Sequence, residues 1–444
     1  MKKYQKRFKE TALRMKGSIA RERARFMESH AFSRRRKLPL EAMLVCMLWK
    51  QGLTTEMELR KFFKERNLAE MQLSKQGYLQ QRKRLNPEVF VYLNQEYLKS
   101  FYSSQDEVER WKGHVVLSID SSKAEIPNSR ENRKVFGCCS NQYGEEGVAR
   151  ALISGIYDVF NGFFLDLQIR GITVNEIDVA KDGLNQIQPI LNDAKVLLLF
   201  DRGYPSLELA DTLESKGYHY LFRLSSSTFK KEREAMGQKD GMVELVHTPA
   251  RLQKVKEKHP ERLEALQRKG TSHARIVQHT LASGTELIVM TNLPMEEYTA
   301  DEIVQLYYRR WEIEKKYHTL KNKLKFESVT GKASVYVFQD FLSQIFVYNM
   351  VQDVRRSADD MAQRRGEQAG YLYPIHTNEN IAIGLFKEKM IRIMLEDDDD
   401  IQTKEMTHLQ QEIERYILPI RIQPGAARKK HLANKFATNQ KSSF

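Results

Sequence analysis

The stretch Lys195-Val-Leu-Leu-Leu-Phe-Asp-Arg-Gly-Tyr204 indicates the fold class of this chain most directly. Residues 195–200 are almost continuously apolar, as in a strand that is buried on both faces of a sheet. A second run of this kind, residues 114–119, also leads into an aspartate, Asp120. Neighbouring strands of this kind would place Asp120 and Asp201 in one cleft, where the sheet meets solvent. Each aspartate alone also has a plain structural explanation, because Asp is common where a strand enters a turn.

The residues around these two runs predict a mixed sheet with helices between its strands. We expect strands at Val115–Asp120, Ala149–Asp158, Gly162–Ile169, Lys195–Phe200 and Tyr218–Leu224, and helices at Asn175–Leu191 and Ser206–Lys216. Phe160-Asn-Gly162 is a strong hairpin signal between the second and third strands. Residues 225–284 then read as an insertion with β-strands, so the predicted core is 111–224 plus 285–353. The fold class is therefore α/β.

A polar stripe is predicted on the helix that follows the insertion. Tyr307, Arg310, Glu314 and Lys321 form the pattern Tyr-x2-Arg-x3-Glu-x6-Lys, which places them on one side of a regular helix. A solvated helix with many charges would also have this composition. Trp311 is expected in the core, with stacking on a DNA base as the alternative.

Three carboxylates, those of Asp120, Asp201 and Glu314, are the candidate catalytic and metal-binding groups. If they converge, they repel one another unless a cation neutralises them. Ligands that are all oxygen favour Mg²⁺ or Mn²⁺. The sequence therefore predicts a divalent metal site in the cleft.

These motifs resemble those of the DDE transposases of bacterial insertion sequences, in particular the IS4 family. The polar helix pattern carries the resemblance, together with Asp-Arg-Gly-Tyr at 201–204 and Asp-Ser-Ser at 120–122. The similarity extends from about residue 74 to residue 353. It implies a ribonuclease H-like fold, and the predicted order of strands and helices is compatible with that fold.

The resemblance also implies an activity and its partners. It implies that two Mg²⁺ ions, with Mn²⁺ as a substitute, serve DNA cleavage and strand transfer, and that a homodimer assembles on double-stranded DNA. The phosphate contacts that it implies come from Tyr307, Arg310 and Lys321, with help from Arg202 and Tyr204. A ribonuclease H-like nuclease and a domesticated transposase that only binds DNA as a regulator are the alternatives.

The N-terminal region, residues 1–110, is predicted to be helical and to bind DNA. Ser74–Arg84 begins with a plausible helix cap and carries a basic, amide-rich face. The candidate DNA contacts on this helix are Gln76, Gln80, Gln81, Arg82 and Arg84. A plain helical domain remains the alternative.

Charge supports a nucleic-acid partner. The chain has 72 Lys plus Arg against 58 Asp plus Glu, a net charge of +14. Basic residues crowd 1–38 and 421–444, which we expect to be arms along a phosphate backbone or solvated termini. The segment 354–444 is predicted to hold a helical region and this basic tail, and Glu396–Asp400 to be a solvated linker.

Other classes of protein are excluded by composition. Three cysteines, two of them adjacent, make neither a disulfide framework nor a zinc site. No apolar run approaches the roughly 18 residues that a membrane span needs. We therefore expect a cytoplasmic, nucleoid-associated protein with no membrane partner.

Overall fold

The computed structural model describes residues 1–27, 29–33, 37–141, 144–281 and 284–421. The chain divides into two compact units. The sheet unit comprises Tyr102–Ala124 and Ala151–Tyr317. The helical unit comprises Met1–Phe101, Glu125–Arg150 and the chain from His318 onwards.

The strands of the large sheet follow the predicted pattern closely. They are β1 (His114–Glu125), β2 (Cys138–Asn141), β3 (Gly144–Asp158), β4 (Phe164–Gly171), β5 (Lys195–Phe200), β6 (His219–Arg223), β7 (Asp240–Val246), β8 (Thr271–Thr280) and β9 (Glu286–Thr291). The order is β2-β3-β1-β5-β6-β9-β8-β7, with β4 paired to β3. The five strands predicted before the insertion are thereby confirmed, and β2 is an addition.

The register of the central strands fixes where the two aspartates lie. β1 and β5 are parallel, with Ile119 opposite Phe200, so Asp120 and Asp201 each follow a paired residue at the same sheet edge. β6 runs parallel to β5 with Phe222 opposite Phe200, which brings Arg223 to the same edge. The buried apolar run of β5 is what makes it a central strand.

The inserted segment, residues 225–284, contributes strands to the same sheet and does not form a separate domain. β9 pairs antiparallel with β6, and β8 and β7 follow by antiparallel pairing. The charged stretch 250–269 of this segment forms two helices. Pro260 starts the second of these because proline lacks the N–H that would continue the first.

The helices of the sheet unit cover this sheet and carry the polar pattern. They are α8 (Glu176–Leu191), α9 (Leu207–Ser215), α10 (Lys230–Met236), α11 (Pro249–Lys258), α12 (Pro260–Lys269), α13 (Ala300–Tyr307) and α14 (Trp311–His318). Side chains of Asn175 and Ser206 cap α8 and α9, as their positions before the apolar periodicity predicted. A short 3₁₀ turn, Tyr308–Arg310, joins α13 to α14.

The helical unit is built from both ends of the chain. Its helices are α1 (Lys3–Lys16), α2 (Ser18–Arg23), α3 (Leu40–Leu48), α4 (Thr55–Glu65), α5 (Lys75–Lys83), α6 (Glu88–Tyr102), α7 (Arg130–Phe136), α15 (Ser334–Gln368), α16 (Glu379–Leu395) and α17 (Asp399–Ile413). Two short strands, β10 (Ile375–Thr377) and β11 (Ile417–Pro419), pair antiparallel. The division into two units differs from the four segments predicted from the sequence. Residues 334–353 were predicted to belong to the catalytic core, but α15, which contains them, packs with the N- and C-terminal helices.

The expectation of a basic N-terminal arm is wrong for the first helix. α1 buries Tyr4, Phe8, Ala12 and Met15 on one face, which fixes it in the helical core. Arg7 is also buried and forms a two-point ion pair with Asp353. The C-terminal basic tail beyond residue 421 lies outside the described residues.

The acidic run 396–400 is exposed to solvent at residues 397–400, as expected, but it also forms the start of α17. The Asp398 side chain caps the N-terminus of α17 by accepting from the N–H groups of Asp400 and Ile401. Asp397 pairs with Lys16, and Asp399 lies 2.7 Å from Lys9 Nζ. The run therefore joins the first helix to the last one. No described helix is long and apolar enough to cross a lipid bilayer.

Candidate functional site

The carboxylate of Asp120 stands at the centre of the candidate site. Its Oδ1 accepts from the Ser121 N–H at 2.9 Å, and its backbone carbonyl accepts from the Tyr317 hydroxyl at 2.7 Å. Burial raises the pKa of Asp120 to about 6; the charges of Glu314 and Asp201 add to that effect, while the Ser121 N–H and Arg310 oppose it. Glu314 and Asp201 are therefore near enough to Asp120 for their charges to raise its pKa.

Arg310 links two of the three carboxylates. Its Nη2 donates to Glu314 Oε1 at 2.7 Å, and its Nη1 lies 3.8 Å from Asp120 Oδ2. The side chain is only 1% exposed, whereas that of Glu314 is 38% exposed. Burial by itself would lower the pKa of this guanidinium, but Tyr307 and the carboxylates of Glu314 and Asp201 outweigh it and raise the pKa.

Asp201 has its own set of neighbours. Tyr307 donates a hydrogen bond to the carbonyl of Phe200 at 3.3 Å and lies 3.5 Å from Asp201 Oδ1. Arg223 Nη1 lies 3.8 Å from the same oxygen. Arg310 thus links Asp120 to Glu314, and Asp201 lies beside Tyr307 and Arg223. Among the described residues, no three acids, histidines or cysteines are close enough together to hold a metal ion.

Two tyrosines predicted to contact DNA are buried. Tyr307 is 1% exposed and Tyr204 is 3% exposed. The Tyr204 hydroxyl lies 3.1 Å from Ser121 Oγ. Because Ser121 follows Asp120 in β1, the buried Tyr204 supports this part of the strand. Burial leaves neither phenol free to reach a phosphate in this arrangement, and both position the residues beside the aspartates. Arg202 is exposed.

The helical stripe does not extend regularly to Lys321. The α-helical pattern is interrupted by the 3₁₀ turn Tyr308–Arg310 and then by a π-helical turn, Thr319–Lys323. The wheel that predicted the place of Lys321 assumed regular α-helical spacing, which ends before that turn. Lys321 belongs to the helical unit, where its Nζ lies 3.6 Å from Glu327 Oε1.

Trp311 was expected in the core but is 37% exposed. Its ring lies under the Arg310 guanidinium, 4.6 Å from centroid to Cζ, in a cation–π contact. One face of the indole therefore holds Arg310 in place. The exposed part leaves the alternative prediction, stacking on a DNA base, available to Trp311.

The candidate recognition helix α5 offers some of its predicted contacts to solvent and buries one. Gln76, Gln80 and Arg84 are exposed, while Gln81 donates its amide to the Leu38 carbonyl at 2.7 Å. Arg82 is 1% exposed and is held by Asp340. The predicted DNA contact of Arg82 is wrong in this structure, because its guanidinium neutralises a buried carboxylate.

Sequence reasoning missed Arg223 and Tyr317. Arg223 could have been found, because it ends a strand that runs parallel to β5 and so reaches the same edge as Asp201. Tyr317 accepts from the Gly155 N–H at 2.8 Å while donating to Asp120, a link between distant strands that no local pattern reveals. Both residues position the aspartates.

The family profile described as "Transposase DDE domain" matches residues 111–350. The transposase InsG for insertion sequence element IS4 of Escherichia coli (strain K12) is 24% identical over 336 residues, which are 72% of this chain and 70% of that protein. The transposase for insertion sequence element IS421 of Escherichia coli is 30% identical over 83 residues, 18% of this chain.

The shorter match spans only 22% of the length of that relative. Among solved structures, the piggyBac transposase in a synaptic complex with hairpin DNA aligns with a TM-score of 0.40 and 8% identity. That alignment covers 94% of this chain and 84% of the other.

Proposed function

The chain belongs to the DDE transposase family, and on that premise we propose that it is a DNA transposase of IS4 type that cuts the ends of an insertion sequence and joins them to target DNA. One observation carries the proposal beyond family membership. Asp120 and Asp201 follow register-paired residues of parallel strands, and Glu314 is tied to Asp120 through Arg310. The partner is therefore double-stranded DNA, both as element end and as target.

We also propose that the core of the sheet unit is ribonuclease H-like. The three long strands β1, β3 and β4, then α8, and then β5–α9–β6 give that order once α7 and the short strand β2 are set aside, with the parallel pair β1–β5 at the centre. The later strands β7, β8 and β9 extend its edge beyond β6. Asp201 would thus follow the carboxyl end of β5, and Asp120 would lie on β1 just past its last residue paired with β5, near the place where open α/β sheets have their sites.

The family generally uses divalent metal ions, and the donor set here suits them. We propose that Asp120, Asp201 and Glu314 hold two Mg²⁺ ions, with Mn²⁺ able to replace them. Three carboxylates supply hard oxygen ligands, although no group of three acids or histidines among the described residues is already placed to hold an ion. Bound ions would supply Lewis-acid activation at phosphorus and at the attacking oxygen.

The protein groups around the carboxylates have distinct roles in this proposal. Tyr307 and Tyr204 hold the strand ends in place, and Tyr317 fixes the backbone of Asp120. Exposed Arg202 is free to face a phosphate of the cleaved strand, and Arg310 would do so when it leaves Glu314. Lys321 is proposed as a further phosphate contact, as in the family pattern.

DNA binding outside the catalytic cleft is assigned to α5. Gln80 and Arg84 are exposed on this helix and can approach a base edge or phosphate. The basic balance of the chain, +14, favours such an approach at low salt. We propose that two copies assemble on a pair of element ends in the cytoplasm, on nucleoid DNA.

The proposal is tested on labelled DNA that carries the flanking terminal repeats, with Mg²⁺, by comparing the wild type with Glu314→Gln. Glu312→Gln is the matched control, because Glu312 is on the same helix but pairs with Lys315 at 2.8 Å. We expect cleavage at the element ends and joined products from the wild type and the control, and neither product from Glu314→Gln.

The other outcomes would identify the alternatives. Specific binding without cleavage by the wild type would indicate a DNA-binding regulator. Indiscriminate cutting without joining would indicate a ribonuclease H-like nuclease. Equal loss in both variants would mean that the helix, and not the Glu314 carboxylate, matters for the reaction.

A further inference from the structure

Arg310 is an unusual residue for a charged side chain in a cleft. It is 1% exposed, and its guanidinium contacts both Glu314, at 2.7 Å, and Asp120, at 3.8 Å. A cation in that position lowers the repulsion between the two carboxylates. Arg310 therefore already supplies part of the positive charge that a metal ion would bring.

The guanidinium is only partly satisfied in this position. Its Nε and Nη1 are buried without a hydrogen-bond partner among the described residues. A stably buried arginine normally uses more of its five donors, since unpaired buried donors cost free energy. Apart from its contacts with Glu314 and Asp120, the guanidinium packs on the face of the Trp311 ring, with Cζ 4.6 Å from the ring centroid. Two buried donors of Arg310 therefore gain nothing from hydrogen bonding in this position.

The backbone of the same residue is held more firmly than its side chain. The Ser118 hydroxyl on β1 donates to the Arg310 carbonyl at 3.2 Å, and Arg310 ends the 3₁₀ turn that joins α13 to α14. The anchored backbone keeps the guanidinium within reach of the cleft, whichever partner it takes. A change of partner then needs only rotation of the side chain.

The position of Arg310 also explains the arrangement of the acids. No group of three acids or histidines within the described residues is placed to hold a metal ion, although the charges of Glu314 and Asp201 raise the pKa of Asp120. The guanidinium takes one Glu314 oxygen directly. A cation that used this oxygen would first have to displace Arg310.

We propose that Arg310 is an exchangeable counter-ion: it neutralises Glu314 and Asp120 while the cleft holds no divalent cation, and it leaves Glu314 when such a cation binds. The inference rests on the proposed function, since it takes the three carboxylates as the ion site. The released guanidinium has the fork geometry that fits two oxygens of a phosphodiester. Cation binding and the grip on DNA are then coupled through one side chain.

The test measures Ca²⁺ binding by isothermal titration calorimetry in the absence of DNA, so that catalysis plays no part. The variant is Arg310→Gln, and the matched control is Arg309→Gln, which removes the same charge from an exposed neighbour that packs on the Phe160 ring. Removal of the competing counter-ion should tighten Ca²⁺ binding about five-fold or more, the lower end of typical coupling between sites. The control should change the Ca²⁺ affinity less than about two-fold, which is below that range of coupling.

A second variant guards against misfolding of Arg310→Gln. Trp311→Ala removes the ring that holds the guanidinium but leaves every carboxylate and Arg310 itself in place, and it should also tighten Ca²⁺ binding. Weaker or unchanged Ca²⁺ binding in folded Arg310→Gln would overturn the proposal while leaving the metal site intact. If no variant binds Ca²⁺, and neither does the wild type, the carboxylates are not an ion site, and the proposed catalysis fails with the counter-ion.

Discussion

The buried ion pair of Arg82 gives the sharpest test of how the helical unit is held together. Arg82 Nη2 lies 2.8 Å from Asp340 Oδ1, and its Nε donates to Gln339 Oε1 at 3.0 Å. The guanidinium lies between the rings of Tyr336 and Tyr78, 5.2 and 5.7 Å from their centroids. Both charged side chains are 1% exposed.

Arg82→Met should lower the free energy of unfolding by about 3 kcal/mol. Removing one partner of a buried pair costs roughly 3–5 kcal/mol, because it leaves the other charge uncompensated. The lower end applies here because Asp340 keeps Lys50 at 3.4 Å and the Thr330 N–H at 2.6 Å.

The assay is urea unfolding followed by circular dichroism, with Arg84→Met as the matched control on the same helix. Arg84 is exposed, so its replacement should change the free energy of unfolding by less than about 0.5 kcal/mol. Arg84→Met should instead weaken DNA binding and reduce the slope of the logarithm of the binding constant against the logarithm of the salt concentration by about one, as expected for the loss of one phosphate contact. The structural role of Arg82 would be refuted if Arg82→Met had a free energy of unfolding within about 1 kcal/mol of the wild type and bound DNA more weakly.

Three further predictions follow from other contacts. Tyr317→Phe should lower the free energy of unfolding by about 1–3 kcal/mol and slow DNA cleavage, because the Gly155 N–H loses its acceptor; cleavage at the wild-type rate would contradict this. Burial lowers the pKa of Lys387 from 10.5 to about 7, so the unfolded chain binds the extra proton between these pH values and stability should rise with pH there. Denaturant titrations across that range should show the rise in the wild type and a flatter profile in Lys387→Met. Replacing Asp397 and Asp399 with asparagine should cost less than about 1 kcal/mol in urea unfolding and leave Ca²⁺ affinity unchanged, since their ion pairs are exposed.

Much of the sheet could be predicted from sequence because its information is local. Continuous apolar runs and the Asn161-Gly162 turn each act within a few positions, and they predicted β1, β3, β4, β5, β6, α8 and α9 with ends within about five residues, but not α7 or β2. The aspartates followed from the same logic, since parallel strands share an edge. The spacing of the polar helix pattern added Glu314.

The errors arose where burial depends on distant segments. Arg82 and Arg84 are nearly equivalent in sequence, yet Asp340 buries one and leaves the other in solvent. The sequence of α1 is typical of a basic arm, but its apolar face packs on helices more than three hundred residues later in the chain. The stripe toward Lys321 failed for another reason, since 3₁₀ and π turns change the spacing that a helical wheel assumes.

The packing of α1 against the C-terminal helices has a consequence for synthesis. The first helix leaves the ribosome early, but Tyr4 bonds to Gln410 at 3.0 Å and Arg7 to Asp353, so its partners are translated last. Cotranslational folding of the helical unit therefore waits for nearly the whole chain. A nonsense or frameshift mutation late in the reading frame would remove the packing partners of the first helix and leave its apolar face exposed. Such truncated copies would lose the N-terminal region as a folded partner for DNA, although every one of its codons is intact.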